Sequence, residues 1–290
     1  MIVSKSENGR PQLWGGIECT INRVGNEYKD QLAYSGHYER KDDIEHFASL
    51  GIKAIRYPIL WEKHEPQYQQ KIDWRWTDGQ LKIIQDNGMI PIAGLLHHGS
   101  GPLFTNLLDP SFPQLLAEYA YRVARRFPWL QYYTPVNEPL TTARFSGLYG
   151  HWYPHHKNDL SFYRMLLNQL KGTVLAMEAI RSVNPGARLI QTEDLGKTHS
   201  TPALVHQAAF ENERRWLTFD LLSGKLNSKD NQYQYMLGAG IHEDDLEFFC
   251  NQQVRPDILG LNYYVTSERW LDESVQKYSA ETIGANGAQV

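Results

Sequence analysis

The sequence has few of the features that would assign it to a specialised class of protein. Cys19 and Cys250 are its only cysteines in 290 residues, so a disulfide framework is not expected and a reducing compartment is favoured. The net charge is −4 and no basic run occurs, which argues against a nucleic-acid partner because phosphate binding needs clustered Lys and Arg. The polar segment 1–11 lacks a signal-peptide core, and the longest apolar stretch is far too short for a membrane span. We therefore expect a cytoplasmic protein without a membrane partner.

Motifs for metal and nucleotide chemistry are also missing. His97-His98 and His155-His156 are adjacent pairs, and adjacent residues of a strand face opposite ways, so no metal site is predicted. The same alternation predicts that His97 points away from His98. Neither a Gly-x-Gly-x-x-Gly turn nor a Walker motif is present. The sequence therefore gives no reason to expect a cofactor.

Strand-like apolar runs alternate with amphipathic helical stretches, which is typical of a parallel sheet built from βα units. Strands are predicted over 13–19, 54–59, 90–96, 132–136, 188–192 and 257–264. Helices are predicted near 42–50, 77–87, from about 111, and over 160–183, 202–222 and 243–251. No repeat, linker or low-complexity tract divides the chain, so we expect one α/β domain over residues 1–290.

The most informative stretch is Thr-Pro-Val-Asn-Glu-Pro, residues 134–139. The residues before it are aromatic or β-branched and favour a strand, and Pro139 lacks the amide hydrogen that a strand ladder requires. Asn137 and Glu138 are therefore expected where a strand stops, which is where α/β barrels carry catalytic groups. Asn-Glu alone would fit an Asx turn equally well. Polar residues at the other strand ends favour the catalytic interpretation.

Five motifs occur in the order found in glycoside hydrolase family 1, the β-glucosidase-like enzymes. They are Leu13-Trp14-Gly15-Gly16, Ile55-Arg56-Tyr57-Pro58 with Leu60-Trp61, Leu96-His97-His98 with Pro102, Val136-Asn137-Glu138-Pro139, and Gly260-Leu261-Asn262-Tyr263-Tyr264. The chain resembles this family from about residue 14 to residue 267. The resemblance implies a (β/α)8 TIM barrel that is incomplete in this chain, with about six βα units and without strands seven and eight.

The resemblance also implies roles for individual residues. Glu138 is similar to the family's acid/base, and Asn137 is similar to the residue that binds the sugar 2-hydroxyl. These roles suit glycoside hydrolysis, which needs a carboxylic acid to protonate the leaving oxygen and an amide whose bond strengthens as the oxocarbenium ion forms. The other residues that the resemblance places around the sugar are Arg56, His98, Asn262, Tyr264 and Asn22, the last at the position of a family glutamine.

Structural alternatives stay open for several of these residues. Arg56 is either a pocket residue or the partner of Glu18, because a charge inside a barrel needs an opposite one. His98 could instead be a hydrogen-bonded core histidine. Asn262 and Tyr264 could serve packing. The aromatic residues Trp61, Trp152 and Tyr153 are expected in the core more often than in a sugar-stacking wall.

The chain also departs from the family pattern. Glu18 places a carboxylate where the family has a small or neutral residue, and Gly99-Ser100 replace the usual Trp-Asp. The family's nucleophile belongs to a Glu-Asn-Gly motif after strand seven, and no such strand is predicted here. Glu193 lies in a similar-looking Thr-Glu-Asp but follows strand five, so we predict that it is not the nucleophile. It is expected either to bind a sugar hydroxyl or to act on Glu138 by like-charge repulsion.

Taken together, the resemblance implies an O-glycosyl hydrolase whose complete barrel acts by a retaining mechanism on a carbohydrate or sugar-nucleotide ligand. Enzymatic activity of the chain itself is left open because the nucleophile motif is missing. The alternative is a non-catalytic carbohydrate-binding or scaffold module fused, at its C-terminal side, to a domain like dTDP-4-dehydrorhamnose reductase. Closing an eight-stranded barrel pairs strand eight with strand one, so strands 13–19 and 257–264 are expected to be unpaired edges.

Overall fold

The structure, a computed structural model, describes residues 11–279. The strands in this range are β1 (Trp14–Gly16), β2 (Ile21–Val24), β3 (Glu27–Asp30), β4 (Ala54–Pro58), β5 (Ile90–His97), β6 (Tyr132–Asn137), β7 (Arg188–Asp194), β8 (Thr198–Ser200), β9 (Ile258–Asn262) and β10 (Arg269–Leu271). The α-helices are α1 (Gln31–Ser35), α2 (Asp43–Ser49), α3 (Trp61–His64), α4 (Arg75–Asp86), α5 (Phe112–Arg126), α6 (Pro139–Ala143), α7 (Asp159–Val183), α8 (Val205–Arg214), α9 (Leu217–Leu222), α10 (Asn231–Gly238) and α11 (Glu243–Asn251). A π-helical turn, Arg144–Leu148, continues α6, and short 3-10 turns cover Pro202–Leu204 and Val275–Lys277.

Six of the strands form one parallel sheet in the order β1-β4-β5-β6-β7-β9. This arrangement confirms the predicted α/β fold, an incomplete (β/α)8 barrel made of six βα units. Each predicted strand is present, although the first is shortened to 3 residues and the last to 5. β1 and β9 are the two edges of this sheet, as the prediction required.

Segments that were predicted as loops contain further structure. The polar stretch after β1 forms an antiparallel hairpin of β2 and β3, in which Ile21 lies opposite Asp30. The segment 267–278, for which no strand was predicted, contributes β10, and β10 pairs in parallel with β8. Helix α10 was not predicted. These elements lie outside the six-stranded sheet.

Helices α5 and α7 cover one face of the sheet. Their buried side chains include Leu116, Tyr119, Val123, Leu166, Leu170 and Met177, each worth roughly 1.5–3 kcal/mol when removed from water. The first turn of α7 is capped by Asn158, whose side-chain oxygen accepts a hydrogen bond from the Ser161 amide at 2.8 Å. Among residues 11–279, no helix combines the length and the apolar character that a bilayer span requires.

A smaller apolar cluster lies on the opposite, inner face of the sheet. It consists of Ala54, Ile92, Tyr132 and Ile190, one residue from each of four neighbouring strands. This cluster forms the floor of the barrel interior, and the polar residues that follow along the same strands lie toward the carboxyl edge.

Side-chain alternation is interrupted near the carboxyl end of β5. Ile92 belongs to the inner cluster, whereas the successive residues Leu95 and Leu96 both belong to the helix-side core. The neighbouring β6 carries Pro135, which has no amide hydrogen, and the ladder has no pair at this position. Strict alternation from Ile92 would place His97 on the helix side. The shift by one residue instead turns His97 toward the inner face.

The ladder between β6 and β7 is limited to two residue pairs at the amino ends of the strands. Beyond them, side chains replace backbone bonds: the Thr134 hydroxyl donates to the Ile190 carbonyl at 2.9 Å, and Gln191 Nε2 donates to the Val136 carbonyl at 3.1 Å. The two strands therefore separate toward their carboxyl ends, which leaves room for polar side chains between them.

Candidate active site

The candidate site lies at the carboxyl edge of the parallel sheet. Four of its strands end on polar residues, which are His97 in β5, Asn137 in β6, Asp194 in β7 and Asn262 in β9. In α/β barrels this edge carries the catalytic groups. Two of the predicted site residues, His98 and Glu138, directly follow two of these strand ends.

Asn137 is the centre of a hydrogen-bonded network. Its Oδ1 accepts bonds from Arg56 Nη1 and, at 2.9 Å, from Thr192 Oγ1. Its Nδ2 donates toward the Nε2 atoms of His97 at 3.3 Å and His98 at 3.2 Å. Asn137 is only 2% exposed. Its four partners come from β4, from β7, and from β5 and the residue after it, and together they fix the orientation of its amide.

Glu138 is held in a strained position immediately after β6. Its φ of 44° is in the left-handed region, which costs a residue with a side chain on the order of 1–3 kcal/mol and occurs mainly at functional sites. Oε1 accepts a hydrogen bond from Asn262 Nδ2, and Oε2 lies 3.8 Å from His98 Nε2. The carboxylate is 3% exposed. One oxygen is therefore anchored, while the other faces an imidazole beyond hydrogen-bond distance.

Both histidines take part in this network, and the prediction that His97 points away from His98 is wrong. The two rings lie edge to face with centroids 5.0 Å apart, and His97 Nδ1 is 3.2 Å from Cys19 Sγ. The cause is the interrupted alternation in β5 together with a left-handed His98, whose φ is 55°. Burial lowers the pKa of both imidazoles, for His97 well below its usual value. Both rings are therefore neutral at pH 7 and can accept or donate one hydrogen bond at each nitrogen.

The structure does not pair Arg56 with Glu18. Arg56 instead donates to Asn137 and, at 3.4 Å, to Thr192. Glu18 accepts bonds from the amide and hydroxyl of Thr20 and is 3.9 Å from His97 Nε2, with its side chain 62% exposed. No ion pair joins Arg56 and Glu18 in the described part of the chain. The Arg56 guanidinium is satisfied by neutral oxygen acceptors, so it keeps its positive charge available to a ligand.

Asn22 and Tyr264 lie at the margin of the site. Asn22 is half-buried in β2, opposite Lys29 of the hairpin, and its side chain makes no hydrogen bond within residues 11–279. Tyr264 is 54% exposed, and its amide donates to Ser267 Oγ at 2.8 Å. Burial and then the negative charge of Glu138 raise the pKa of Tyr264. Tyr264 is thus close enough to respond to Glu138, whereas Asn22 has no observed link to the other site residues.

Glu193 is turned away from the site. It is fully buried, and its Oε1 accepts hydrogen bonds from the Leu140 amide and the Thr218 hydroxyl, both at 2.7 Å. Burial and then the charge of Glu138 raise the pKa of Glu193 to about 8. Its neighbour Thr192 faces Asn137, as expected for alternating residues in a strand. The expectation that Glu193 binds a sugar hydroxyl is therefore wrong for this conformation, because Oε1 is bonded to protein donors and Oε2 is sealed from solvent.

A buried carboxyl group that sequence reasoning missed explains the Gly99-Ser100 departure. A side chain at Gly99 would bring its Cβ to 1.8 Å from Glu62 Oε1 and 3.1 Å from the Ile21 carbonyl. Glu62 accepts a hydrogen bond from the Gly101 amide at 3.2 Å, and burial raises its pKa to about 8. The Glu62 side chain thus fills the space beside position 99 and would have to move to admit a larger residue there.

Of the three aromatic residues considered for a sugar wall, one borders the site. Trp152 lies against His98 with ring centroids 5.4 Å apart and is half-buried. Tyr153 instead stacks under the Arg23 guanidinium, 3.7 Å from it. Trp61 is fully buried in the helix-side core, as expected. Trp152 therefore offers the aromatic surface next to the Asn137-Glu138 pair.

Three residues of the network were missed by sequence reasoning, namely His97, Thr192 and Cys19. Thr192 could have been found from the two-residue period of β7, since it alternates with Glu193. No signal in the sequence indicates the inward turn of His97. Within residues 11–279, no group of three or more His, Cys, Asp or Glu side chains is arranged to hold a metal ion. The arrangement can donate a proton from Glu138 and bind hydroxyl groups through Asn137, Arg56 and the imidazoles.

Comparison with solved structures shows the same fold. A family 1 β-glucosidase from Thermotoga maritima matches with a TM-score of 0.71 at 20% identity, over 81% of this chain and 55% of that one. The same enzyme in complex with glucoimidazole matches with a TM-score of 0.71 at 20% identity, over 84% of this chain and 57% of that one.

Curated sequences give a consistent result. Beta-glucosidase A of Thermotoga maritima is 26% identical over 178 residues, which is 58% of this chain and 40% of that protein. A 6-phospho-beta-glucosidase of Clostridium longisporum is 23% identical over 292 aligned residues, covering 92% of this chain and 60% of that protein. The chain therefore spans between 40% and 60% of the length of these two relatives. The family model described as glycosyl hydrolase family 1 matches residues 7–289, so this chain belongs to glycosyl hydrolase family 1.

Proposed function

We propose that this chain forms the acid/base part of a retaining β-glycosidase site, with Glu138 donating a proton to the glycosidic oxygen. The observation that carries the proposal is the Asn137-Glu138 pair at the carboxyl end of β6. Its amide is held by Arg56 and Thr192, and its carboxylate is held by Asn262. Cleavage of a glycosidic bond needs a carboxyl group that protonates the leaving oxygen and a hydrogen-bonding group at the 2-hydroxyl, and this pair supplies both on one side of the sugar.

In this proposal the two oxygens of Glu138 have different tasks. Oε1 receives the Asn262 amide hydrogen and fixes the carboxyl plane. Oε2, 3.8 Å from His98, is the atom that meets the leaving oxygen. The neutral imidazole of His98 leaves the Oε2 position available to a substrate oxygen. The proton moves from Oε2 to the leaving oxygen as the bond to the anomeric carbon breaks.

Asn137 and its neighbours bind the sugar ring. The Asn137 carbonyl already accepts two hydrogen bonds, so its Nδ2 group remains to contact a sugar hydroxyl in exchange for one imidazole. Arg56 and His98 supply further donors, and Trp152 supplies an apolar surface for one face of the ring. Asn22 and Tyr264 would complete the site from its margin. The names of the relatives favour a β-glucoside as the ligand, with the phosphorylated form as a variant, in a single barrel domain acting in the cytoplasm.

The second carboxyl group of a retaining site is proposed to come from another part of the complete barrel. A retaining mechanism needs it about 5–5.5 Å from the acid, on the opposite side of the scissile bond. Glu193 does not meet this requirement because it is fully buried and bonded to Leu140 and Thr218. Residues 11–279 supply six strands of the parallel sheet, and the family's nucleophile follows strand seven.

Carbohydrate binding without catalysis is a second candidate function. The observation in its favour is that the network around Asn137 is fully formed from hydrogen-bonding side chains and a neutral histidine pair. Such a set binds hydroxyl groups whether or not a nucleophile is present. The comparisons give no support to the further alternative of a module fused to a reductase-like domain.

Binding of glucoimidazole tests the proposed site. We expect the purified chain to bind this compound, and we expect Glu138→Gln and Asn137→Ala each to weaken binding by about tenfold or more, since each removes hydrogen bonds to a charged or buried group. Isothermal titration calorimetry measures the affinity. Glu178→Gln is the matched control, because Glu178 is an exposed carboxylate on α7. Equal affinities of Glu138→Gln, Asn137→Ala and the control would contradict the proposal.

A further inference from the structure

A cavity of about 790 Å³ lies outside the candidate active site. Its walls come from the end of the π-helical turn, the start of α7, and helices α8 and α10. None of the residues that surround Asn137 and Glu138 lines it. Its volume is within the range of pockets that hold small organic ligands, roughly 300–1,000 Å³. The cavity is therefore large enough for a ligand that is separate from the substrate of Glu138.

Arg214 lines this cavity with a buried charge that the protein does not pair. Its side chain is 7% exposed, and its guanidinium lies 5.6 Å from the ring centre of Phe162 and 5.7 Å from that of Phe210. No hydrogen bond or ion pair of Arg214 occurs within residues 11–279. By contrast, Arg164 on α7, which is more exposed, forms an ion pair with Asp245 at 2.7 Å. Unlike Arg215, whose Nε and Nη1 are sealed from solvent without a hydrogen-bond partner, Arg214 has no nitrogen of that kind, so its donors are accessible from the cavity and available to a ligand.

A second polar group without a partner lines the same cavity. The hydroxyl of Tyr149 is buried and makes no hydrogen bond. Tyr149 follows the π-helical turn, and π-helical turns occur often at functional sites. Arg214 of α8 and Tyr149 therefore line one cavity, Arg214 with donors that have no hydrogen-bond partner in residues 11–279 and Tyr149 with an unpartnered hydroxyl that lies beneath the cavity surface.

The remaining wall residues indicate which ligand would satisfy these donors. Phe210 and Tyr235 present aromatic rings. The charged wall residues are three carboxylates and two cations, which are Asp159, Glu211, Glu213, Lys157 and Arg214, so the wall has no net positive charge. Carboxylates in the wall would repel an anionic ligand, whereas they accept hydrogen bonds from hydroxyl groups. Aromatic rings provide apolar surface that matches the C–H face of a sugar ring. Donors, acceptors and rings together suit a neutral carbohydrate.

We propose that this cavity, lined by Arg214, Tyr149, Phe210 and Tyr235, is a second carbohydrate-binding site that takes a neutral disaccharide. It does not depend on the proposed hydrolysis, because it shares no residue with the Asn137-Glu138 network.

Calorimetric titration with cellobiose tests the proposal in the Asn137→Ala variant, in which binding at the candidate active site is weakened. We expect cellobiose to bind this variant, and we expect the added change Arg214→Met, which keeps the apolar stem, to weaken binding by about tenfold. Tyr149→Phe removes only the hydroxyl that lacks a partner and should weaken binding by a few-fold, with an unchanged melting temperature. Glu178→Gln in the same background is the control.

Three results would overturn the second site. The first is no binding of cellobiose to the Asn137→Ala protein at millimolar concentration, and the second is equal affinity for cellobiose after Arg214→Met and Tyr149→Phe. Displacement of cellobiose by glucose 6-phosphate at lower concentration would show an anion site instead. Glucoimidazole binding to the protein with Asn137 intact should not change in Arg214→Met, which separates a failure here from a failure of the proposed active site.

Discussion

Asn262, the last residue of β9, donates its side-chain amide to Oε1 of Glu138 across a separation of 124 residues. β9 does not neighbour β6, because β7 lies between them in the sheet. The bond therefore spans the opening between the strands and joins the edge of the sheet to the carboxyl group at its centre. Glu138 thus has a strained backbone and a side chain that is held directly by Asn262.

Replacement of Asn262 by alanine tests this restraint. The change frees Oε1 of Glu138 and leaves a buried carboxylate with one partner fewer, so we expect glucoimidazole affinity to fall by about tenfold. Calorimetric titration measures the effect, with Asn251→Ala as control because Asn251 is an exposed asparagine at the end of α11. Unchanged affinity in Asn262→Ala would mean that the bond does not position the carboxyl group for a ligand.

The raised pKa of Glu193 predicts a pH-dependent stability. Its pKa is about 8 in the folded protein against an ordinary value of 4.5, so the unfolded chain releases the proton first as pH rises. Stability from this group is complete below about pH 4.5 and is lost progressively as pH rises toward 8. Glu193→Gln cannot ionise and avoids this loss.

The measurement is thermal unfolding of both proteins from pH 5 to pH 8. The melting temperature of Glu193→Gln should rise relative to that of the unchanged protein as pH increases. Glu178→Gln should follow the unchanged protein at every pH, since Glu178 is exposed. A difference between Glu193→Gln and the unchanged protein that stays constant with pH would show that Glu193 ionises normally in its buried position.

The edge strand β9 predicts self-association of the 290-residue chain. Leu259 and Leu261 are 53% and 63% exposed and lie on the same face of this edge, and Val265 is fully exposed. Unpaired strand edges with apolar faces associate with other chains. Light scattering should detect oligomers that diminish in the double variant Leu259→Lys and Leu261→Lys. A monodisperse monomer at high concentration would show that the β9 edge does not mediate self-association.

The sequence predicted the six-stranded sheet because each strand combines β-branched and aromatic residues with a polar end, and because helical stretches separate the strands. The Asn137-Glu138 pair could be placed at a strand end for the same reason. The direction of His97 could not be predicted, since it depends on the ladder gap at Pro135 and on two successive leucines that both face the helices. The two-residue alternation of side chains does not predict their direction at such irregularities, and this one lies beside the candidate site.

Other parts of the site depended on contacts between distant segments. The sequence suggested Glu18 as the partner of Arg56 because both are charged, but the structure gives Arg56 two neutral acceptors on β6 and β7. No sequence pattern singles out Glu62, although its side chain fills the space beside Gly99. Pairings of this kind depend on the register between strands and on loop conformation, which composition and periodicity do not encode.

The claim that the catalytic partner of Glu138 is a residue other than Glu193 is tested most directly by an assay of the purified 290-residue chain. Hydrolysis of p-nitrophenyl β-D-glucoside is measured with and without azide, beside the Glu193→Gln variant. Because Glu193 is fully buried and bonded to Leu140 and Thr218, we predict no release of nitrophenol by either protein alone. Measurable hydrolysis by the chain that Glu193→Gln abolishes and azide restores would contradict this assignment and make Glu193 the nucleophile.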